Sequence, residues 1–561
     1  TGSGSDIQIN TGSLFVRNGA ALVTSTLGLG DAGNIVINAR DRVEFSGEGR
    51  IGSANVSSAN TTVFRGASGK GGDIRIATGS LRVVDGAVLN SSTQGLGDAG
   101  SILINARDTA LFDGSRRDDT PSGAISSVVE GQGKGGDIRI STGSLAVTNG
   151  AILSTGSLVG RGDAGNITIA ARENVTFRGT TAGGRSGGAL SSAIFSEIGE
   201  GGNIQIEAQT LTVANEAGLF SSSFGRGRSG NLTLRTRNGM LISNGGALSS
   251  LTLGLGDAGN ITIVSNGAIT LENGLIAAGS VSITDALSTL ERRGVSFIQS
   301  GITPEQIALL QLLFPPGSGR AGNVDISGRS LSLDQGSSIS TDSTSGDGGN
   351  INLAIDGLLL LRQGSSLSTS AGTLELGGTG GNIRINAQFI VGVRRENSDI
   401  KANAFVGNGG NIDITTQGIF GLQFRPRLTP FSDITASSEF GVSGVVSINT
   451  PDVDPSRGLG ILPANIVDPS QQIAQGCNPT NARQLGSFVV TGRGGLPTDP
   501  TNAILPETIV TDWVTPIAEP TASSAAPPLP DSRPTPVPEA QGFLRTPTGE
   551  IYLIGRLPCR D

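Results

Sequence analysis

Histidine is absent from all 561 residues. That removes Ser-His-Asp and Cys-His nucleophile systems and histidine-based zinc sites. Catalysis would have to rest on carboxylates, or on arginine or lysine with a metal. The one adjacent aspartate pair, Asp118-Asp119, sits in Ser115-Arg116-Arg117-Asp118-Asp119-Thr120-Pro121. Carboxylates that hydrolyse a glycosidic bond must flank it at a defined separation. Two neighbours beside two arginines read better as a solvated charge cluster. Acidic turns recur at Gly30-Asp31-Ala32-Gly33, Gly97-Asp98-Ala99-Gly100, Gly162-Asp163-Ala164-Gly165 and Gly256-Asp257-Ala258-Gly259. Calcium-binding β-rolls need nine-residue repeats that bring successive aspartates onto one ion. Here the closest recurrence is 65 residues, so an Asx-type cap of each corner is the expected role and no metal is assigned. Arg161-Gly162-Asp163 is an adhesion-type tripeptide. Leu29-Gly30-Asp31 and Leu96-Gly97-Asp98 stand in its place in other repeats, which makes it one variant of a structural turn. Cys477 and Cys559 are the only thiols; a disulfide is expected in an extracytoplasmic setting, with a pair of free thiols as the alternative.

These residues are set into a phrase that recurs along most of the chain: glycine, a short polar residue, then aliphatic–any–aliphatic. It reads Gly33-Asn34-Ile35-Val36-Ile37, Gly72-Asp73-Ile74-Arg75-Ile76, Gly100-Ser101-Ile102-Leu103-Ile104 and Gly136-Asp137-Ile138-Arg139-Ile140. It returns at Gly165, Gly202, Gly230, Gly259, Gly322, Gly349, Gly381 and Gly410, with looser copies at Asp6-Ile7-Gln8-Ile9 and Gly444–Ile448. Self-similarity of this kind marks a solenoid, whose repeats bury their apolar sides only against one another. Within the repeat from Gly72, apolar residues alternate at Ile74 and Ile76, then at Leu81 and Val83. Asp85-Gly86 makes a turn, and Ala87–Ser92 extends again. A period of two with glycine at each corner predicts three short strands per coil of a β-helix. The corner glycines are expected to supply positive φ and close backbone approach.

Steps of 39, 36 and 37 residues from Gly33, Gly100 and Gly165 alternate with steps of 28, 29 and 28 from Gly72, Gly136 and Gly202. The long coils carry their own phrase, Arg40-Asp41-Arg42-Val43-Glu44-Phe45, Arg107–Phe112 and Arg172–Phe177. Their extra residues, about 46–68, 113–133 and 178–199, are expected to bulge from one edge on every second coil. Thr303-Pro304-Glu305-Gln306 before Ile307–Phe314 predicts a short capped helix within an insertion at about 284–319. From Pro451 the repeat gives way to a Pro-rich tail, residues 451–561. It holds an extended linker around Pro516–Pro538 and a small hairpin of Gly542–Arg545 with Ile551–Ile554.

Glycine accounts for 87 residues without a G-X-Y period, which excludes collagen, and aromatics make up 4%, as suits a thin uniform interior. A net charge of −8 with no basic block argues against nucleic acid or an anionic membrane as partner. No apolar run reaches the length of a transmembrane helix. The chain opens inside a repeat and is expected to be the C-terminal part of a longer precursor.

The repeats Gly-Asn-Ile-x-Ile, Ser-Leu-x-Val-x-Asn-Gly-Ala-x-Leu-Ser and Gly-x-Gly-Asp-Ala-Gly-Asn resemble those of filamentous-haemagglutinin-like exoproteins over about residues 1–450. The tail resembles that of the cyanobacterial S-layer family members at Gln475-Gly476-Cys477, Phe488–Pro497 and Glu539–Gly542. The resemblance implies an all-β, right-handed parallel β-helix at 1–450. It also implies export by an outer-membrane two-partner-secretion transporter, through an N-terminal domain of the parent protein that this sequence does not contain. The implied role is a secreted or cell-surface adhesin or structural fibre, non-catalytic and without a cofactor, facing a cell-surface or glycan ligand. A β-helical polysaccharide-active lyase or hydrolase and the stalk of a contact-dependent toxin are the alternatives.

Overall fold

The computed structural model describes residues 2–49, 56–158, 161–194, 199–282, 319–373 and 377–450, and the strands Gly542–Arg545 and Ile551–Ile554. The chain divides into two units, Thr1–Leu462 and Pro463–Asp561. In the first, every glycine-led phrase becomes the start of a strand. Fourteen such rungs open at Ile7, Ile35, Ile74, Ile102, Ile138, Ile167, Ile204, Leu232, Ile261, Val324, Ile351, Ile383, Ile412 and Val446. Each pairs in parallel and in register with the next, so Ile74, Ile102, Ile138 and Ile167 form one column. At the ~4.8 Å spacing of paired strands, thirteen steps make a stack about 60 Å long. This is a parallel β-helix. In the second unit, Gly542–Arg545 and Ile551–Ile554 form the expected antiparallel hairpin, Gly542 opposite Ile554. The expected helical insertion and both cysteines lie outside the described residues.

The coil differs from three equal strands. On some rungs the two alternating runs of the repeat stay apart, as Ile167–Ala171 and Asn174–Arg178. On most they fuse into one long strand, such as Ile74–Val84, with a register shift between Thr78 and Ser80. The same irregularity recurs at Thr11/Ser13, Ala39/Arg42, Thr142/Ser144, Ala208/Thr210 and Ile355/Leu358. A bulge bends a strand, and stacked bulges crease the whole long face. A short strand such as Val88–Asn90 forms the second face. The third is held by isolated parallel bridges such as Val63 to Thr93, and by a small parallel sheet of Val128–Val129, Ser157–Leu158 and Ala193–Ile194.

Alternate residues of each strand point inward and are fully buried, Ile74, Ile138 and Ile204 among them. One interior column alternates in size: Val16, Phe45, Val83, Phe112, Val147, Phe177, Val213. The phenylalanines of the long-coil phrase thus stack between valines, so that large rings meet small neighbours on both sides.

The rung-opening glycines are set by crowding. A Cβ on Gly165 would lie 2.6 Å from the carbonyl carbon of Gly136 and closer still to its oxygen, and the column repeats this at every rung. Positive φ, the other expected reason for glycine, is not used in this column. It appears at the turns between long and short strands, where Asp85 and Gly86 have φ of 55° and 80° and Asn149 and Gly150 of 53° and 80°. Both residues are left-handed there, as in a type I′ turn.

The polar residue after each glycine has a role that local reading missed. Its side chain accepts a hydrogen bond from the backbone N–H of its counterpart on the next rung. The ladder runs from Asp6 through Asn34, Asp73, Ser101, Asp137, Asn166, Asn203, Asn231, Asn260, Asn323, Asn350 and Asn382 to Asn411. It continues unbroken across the 63-residue step, the Asn323 N–H lying 2.8 Å from Asn260 Oδ1. Inside the corner, buried hydroxyls of Thr61, Ser91, Ser126, Thr155, Ser191 and Ser221 donate to the glycine carbonyls at 2.5–2.7 Å. Removing one ladder side chain leaves an N–H to water. Asn203→Ala is therefore expected to cost about 1 kcal/mol in urea unfolding, whereas Gln205→Ala, two residues further on and outward-facing, should cost nothing measurable.

Candidate binding surface

The extra residues of the long coils leave the body where the other rungs make their two-residue turn. The excursions are shorter than the sequence suggests. They lie between Ser46 and Ser58, Asp113 and Gly123, and Arg178 and Gly188, because the residues beyond belong to the second and third faces. Each is closed by one antiparallel bridge: Glu48 to Val56, Ser115 to Pro121, Thr180 to Ser186. Two rungs apart, they reach over the intervening turn and hold one another. Glu48 meets Arg116 at 3.5 Å and Arg117 at 3.7 Å. Asp119 accepts from the Thr181 hydroxyl at 2.7 Å and the Gly183 N–H at 2.8 Å, and pairs with Arg185 at 3.5 Å.

That geometry decides the reading of Asp118-Asp119. Asp119 is engaged by the neighbouring excursion, through partners 62 and 64 residues further along. Hydrogen bonds from Thr120, then the charge of Arg116, hold the Asp118 carboxyl below its usual range, the reverse of what a general acid requires. Asp119 ties one excursion to the next, and Asp118 closes its own loop through the Thr120 N–H and Arg116.

The acidic corners also differ from expectation. Asp31, Asp98, Asp163 and Asp257 do not cap their own turns. Each accepts from a backbone N–H of the following rung, at Lys70, Lys134, Glu200 and Arg320 respectively. This second inter-rung ladder takes in the Arg161-Gly162-Asp163 tripeptide. Arg161 forms a parallel bridge with Gln132, and Asp163 is bound to the Glu200 N–H and lies 3.3 Å from Lys134 Nζ. Gly162 has no room for a side chain against Gly133. The tripeptide is a corner of the coil with an exposed arginine, not a projecting loop. Among the described residues, no group of three or more His, Cys, Asp or Glu side chains is placed to hold a metal ion. No helix among them is long and apolar enough to cross a membrane.

Among the described residues, open grooves lie along the creased long face. On rungs two to six, Ser80, Thr109, Ser144 and Asn174 line the first, with Arg42 and Arg82 beside them. Glu44 is buried among guanidinium groups, 2.8 Å from Arg17 Nε and 2.7 Å from Arg42 Nη2. Burial alone would raise its carboxyl, but the Arg17 hydrogen bond and the charges of Arg17 and Arg42 bring it below the usual range. On the rim, Arg40 and Asp41 pair at 3.0 Å. Arg172 reaches back to the carbonyl of Arg107 across the rung of Gly143, where a side chain would obstruct it. Arg172-Glu173 thus staples neighbouring rungs, Glu173 accepting from the Ser144 hydroxyl at 2.8 Å, while Arg40-Asp41 and Arg107-Asp108 pair within themselves. The second groove lies on rungs eleven to thirteen, lined by Ala354–Asp356, Asn386–Gln388 and Thr415–Gln417. Compared with known proteins, the chain matches no family model, no curated protein and no solved structure.

Proposed function

We propose that this chain is a non-catalytic, secreted or cell-surface exoprotein of adhesive or structural type, similar to the filamentous-haemagglutinin-like substrates of two-partner secretion. On this reading the protein is exported across the outer membrane by a dedicated transporter, and the β-helix then presents its faces and loop stack to a cell-surface or glycan ligand. The observation that carries the reading is where the reactive side chains are spent. The recurrent Asn and Asp residues join one rung to the next, and Asp119 ties one excursion to another. A chain whose polar repeats serve stacking makes surface in proportion to its length.

The test replaces the three excursions with the Asn-Gly turn that neighbouring rungs already use, as at Asn149-Gly150. Attachment of the purified protein to cells is expected to fall, while the strand signal in circular dichroism and the melting temperature hold within a few degrees. Unchanged attachment would remove the loop stack from the binding surface. Depolymerisation of a polysaccharide by the unaltered protein, lost in Asp118→Asn, would favour an enzyme instead.

A further inference from the structure

Rungs eleven to thirteen bring exposed rings and uncommitted amides together on one stretch of the creased face. The groove there encloses about 480 Å³. Its lining is a matched set: Ala354 lies opposite Asn386, Asn386 opposite Thr415, and Ile355 opposite Ala387. Asp356, Asn386, Gln388 and Gln417 are exposed. Asn382 and Asn411, on two of the same rungs, have their side chains used in the inter-rung ladder. The side chains of Asp356, Asn386, Gln388 and Gln417 enter no hydrogen bond among the described residues. Directly beside them stand Phe389 and Phe420, 38% and 57% exposed, their rings 6.5 Å apart and inclined at 41°. Gly418 leaves the space that the Phe420 ring occupies.

We propose that this groove binds an uncharged, hydroxyl-rich glycan laid along the stacking axis; the assignment rests on the surface-binding reading above and names its ligand class. An amide offers a donor and an acceptor side by side, and a carboxylate offers acceptors only. Together they match the vicinal hydroxyls of a sugar. The electron-rich face of an aromatic ring suits the C–H face of a pyranose. Rungs about 4.8 Å apart repeat on the scale of one sugar ring. The charges favour this occupant over a polyanion, because Asp356 is the only charged residue in the lining and no arginine or lysine joins it. The rung-twelve strand Ile383–Gly392 is paired on both sides, so the groove floor has no free backbone edge for an extended peptide to join.

The experiment immobilises the full chain and titrates neutral β-1,4-glucan, β-1,3-glucan and α-1,6-glucan hexasaccharides, with polygalacturonate as the charged comparison. At least one neutral hexasaccharide should bind. Phe389→Ala and Asn386→Ala should each weaken it about tenfold or more, the loss of one good contact, with the melting temperature unchanged. Phe389→Tyr should restore binding, and Arg82→Ala, in the other groove, should not alter it. Neutral-glycan binding indifferent to Phe389→Ala and Asn386→Ala would overturn the proposal, as would binding of polygalacturonate alone. Failure of every neutral glycan while the protein still attaches to cells overturns the glycan assignment and leaves the surface reading standing; failure of both sinks both.

Discussion

Ile138→Asp is expected to melt the coils around it. Ile138 is fully buried and stacked between Ile102 and Ile167, so a carboxylate there would lie between two apolar rungs with no partner. An unpaired buried charge costs several kcal/mol, about 4 kcal/mol as a working figure. Because each rung contacts only its neighbours, the damage should be local. Amide exchange should rise at Ile102–Ala106 and Ile167–Ala171 and stay slow at Ile383–Ala387. The next residue gives the contrast. Arg139 is outward and its pair with Asp137 is solvent-exposed, so Arg139→Ala should shift stability by less than about 1 kcal/mol. Similar unfolding of the two variants would mean that the inward and outward positions are exchanged.

Gly165→Ala should be nearly as damaging, although it adds one methyl group. The new Cβ would meet the Gly136 carbonyl and the Gly135 oxygen, the latter at 2.7 Å, and these are backbone atoms that cannot rotate away. The Gly165 carbonyl also receives the Thr155 and Ser191 hydroxyls, so moving it breaks buried bonds. A loss of about 3 kcal/mol is expected, the upper part of the range for overpacking. Gly28→Ala supplies the control, since nothing lies within 4 Å of its Cβ position. There the substitution should be neutral or slightly stabilising, by about 0.5 kcal/mol, through the unfolded chain. Chemical denaturation of both variants checks the pair.

Much of this architecture is legible in the sequence because its cause is local. The alternation in Ile74-Arg75-Ile76 states which residues face in, and Asp85-Gly86 states where the chain turns. The unequal spacing of the glycines locates the excursions on alternate rungs. What is not legible depends on register between distant residues. The acceptor role of Asn203 becomes visible only once Asn231, 28 residues on, is placed above it. Asp31 reads as a local cap until its partner proves to be the Lys70 N–H, 39 residues away. A signal was nevertheless present: a short residue able to accept a hydrogen bond follows the glycine in every strict copy of the phrase, and a turn alone does not demand that. The groove near Phe389 has no sequence signature, because it arises from a bulge that bends neighbouring strands together.

The central claim is that this β-helix acts by presenting surface and performs no reaction. The most direct measurement incubates the full chain with cells and with a panel of soluble polysaccharides, scoring attachment and the appearance of new chain ends together. Attachment with no new reducing or unsaturated ends over the incubation is the predicted result. Release of such ends in proportion to protein concentration, abolished by changing a single carboxylate, would contradict it.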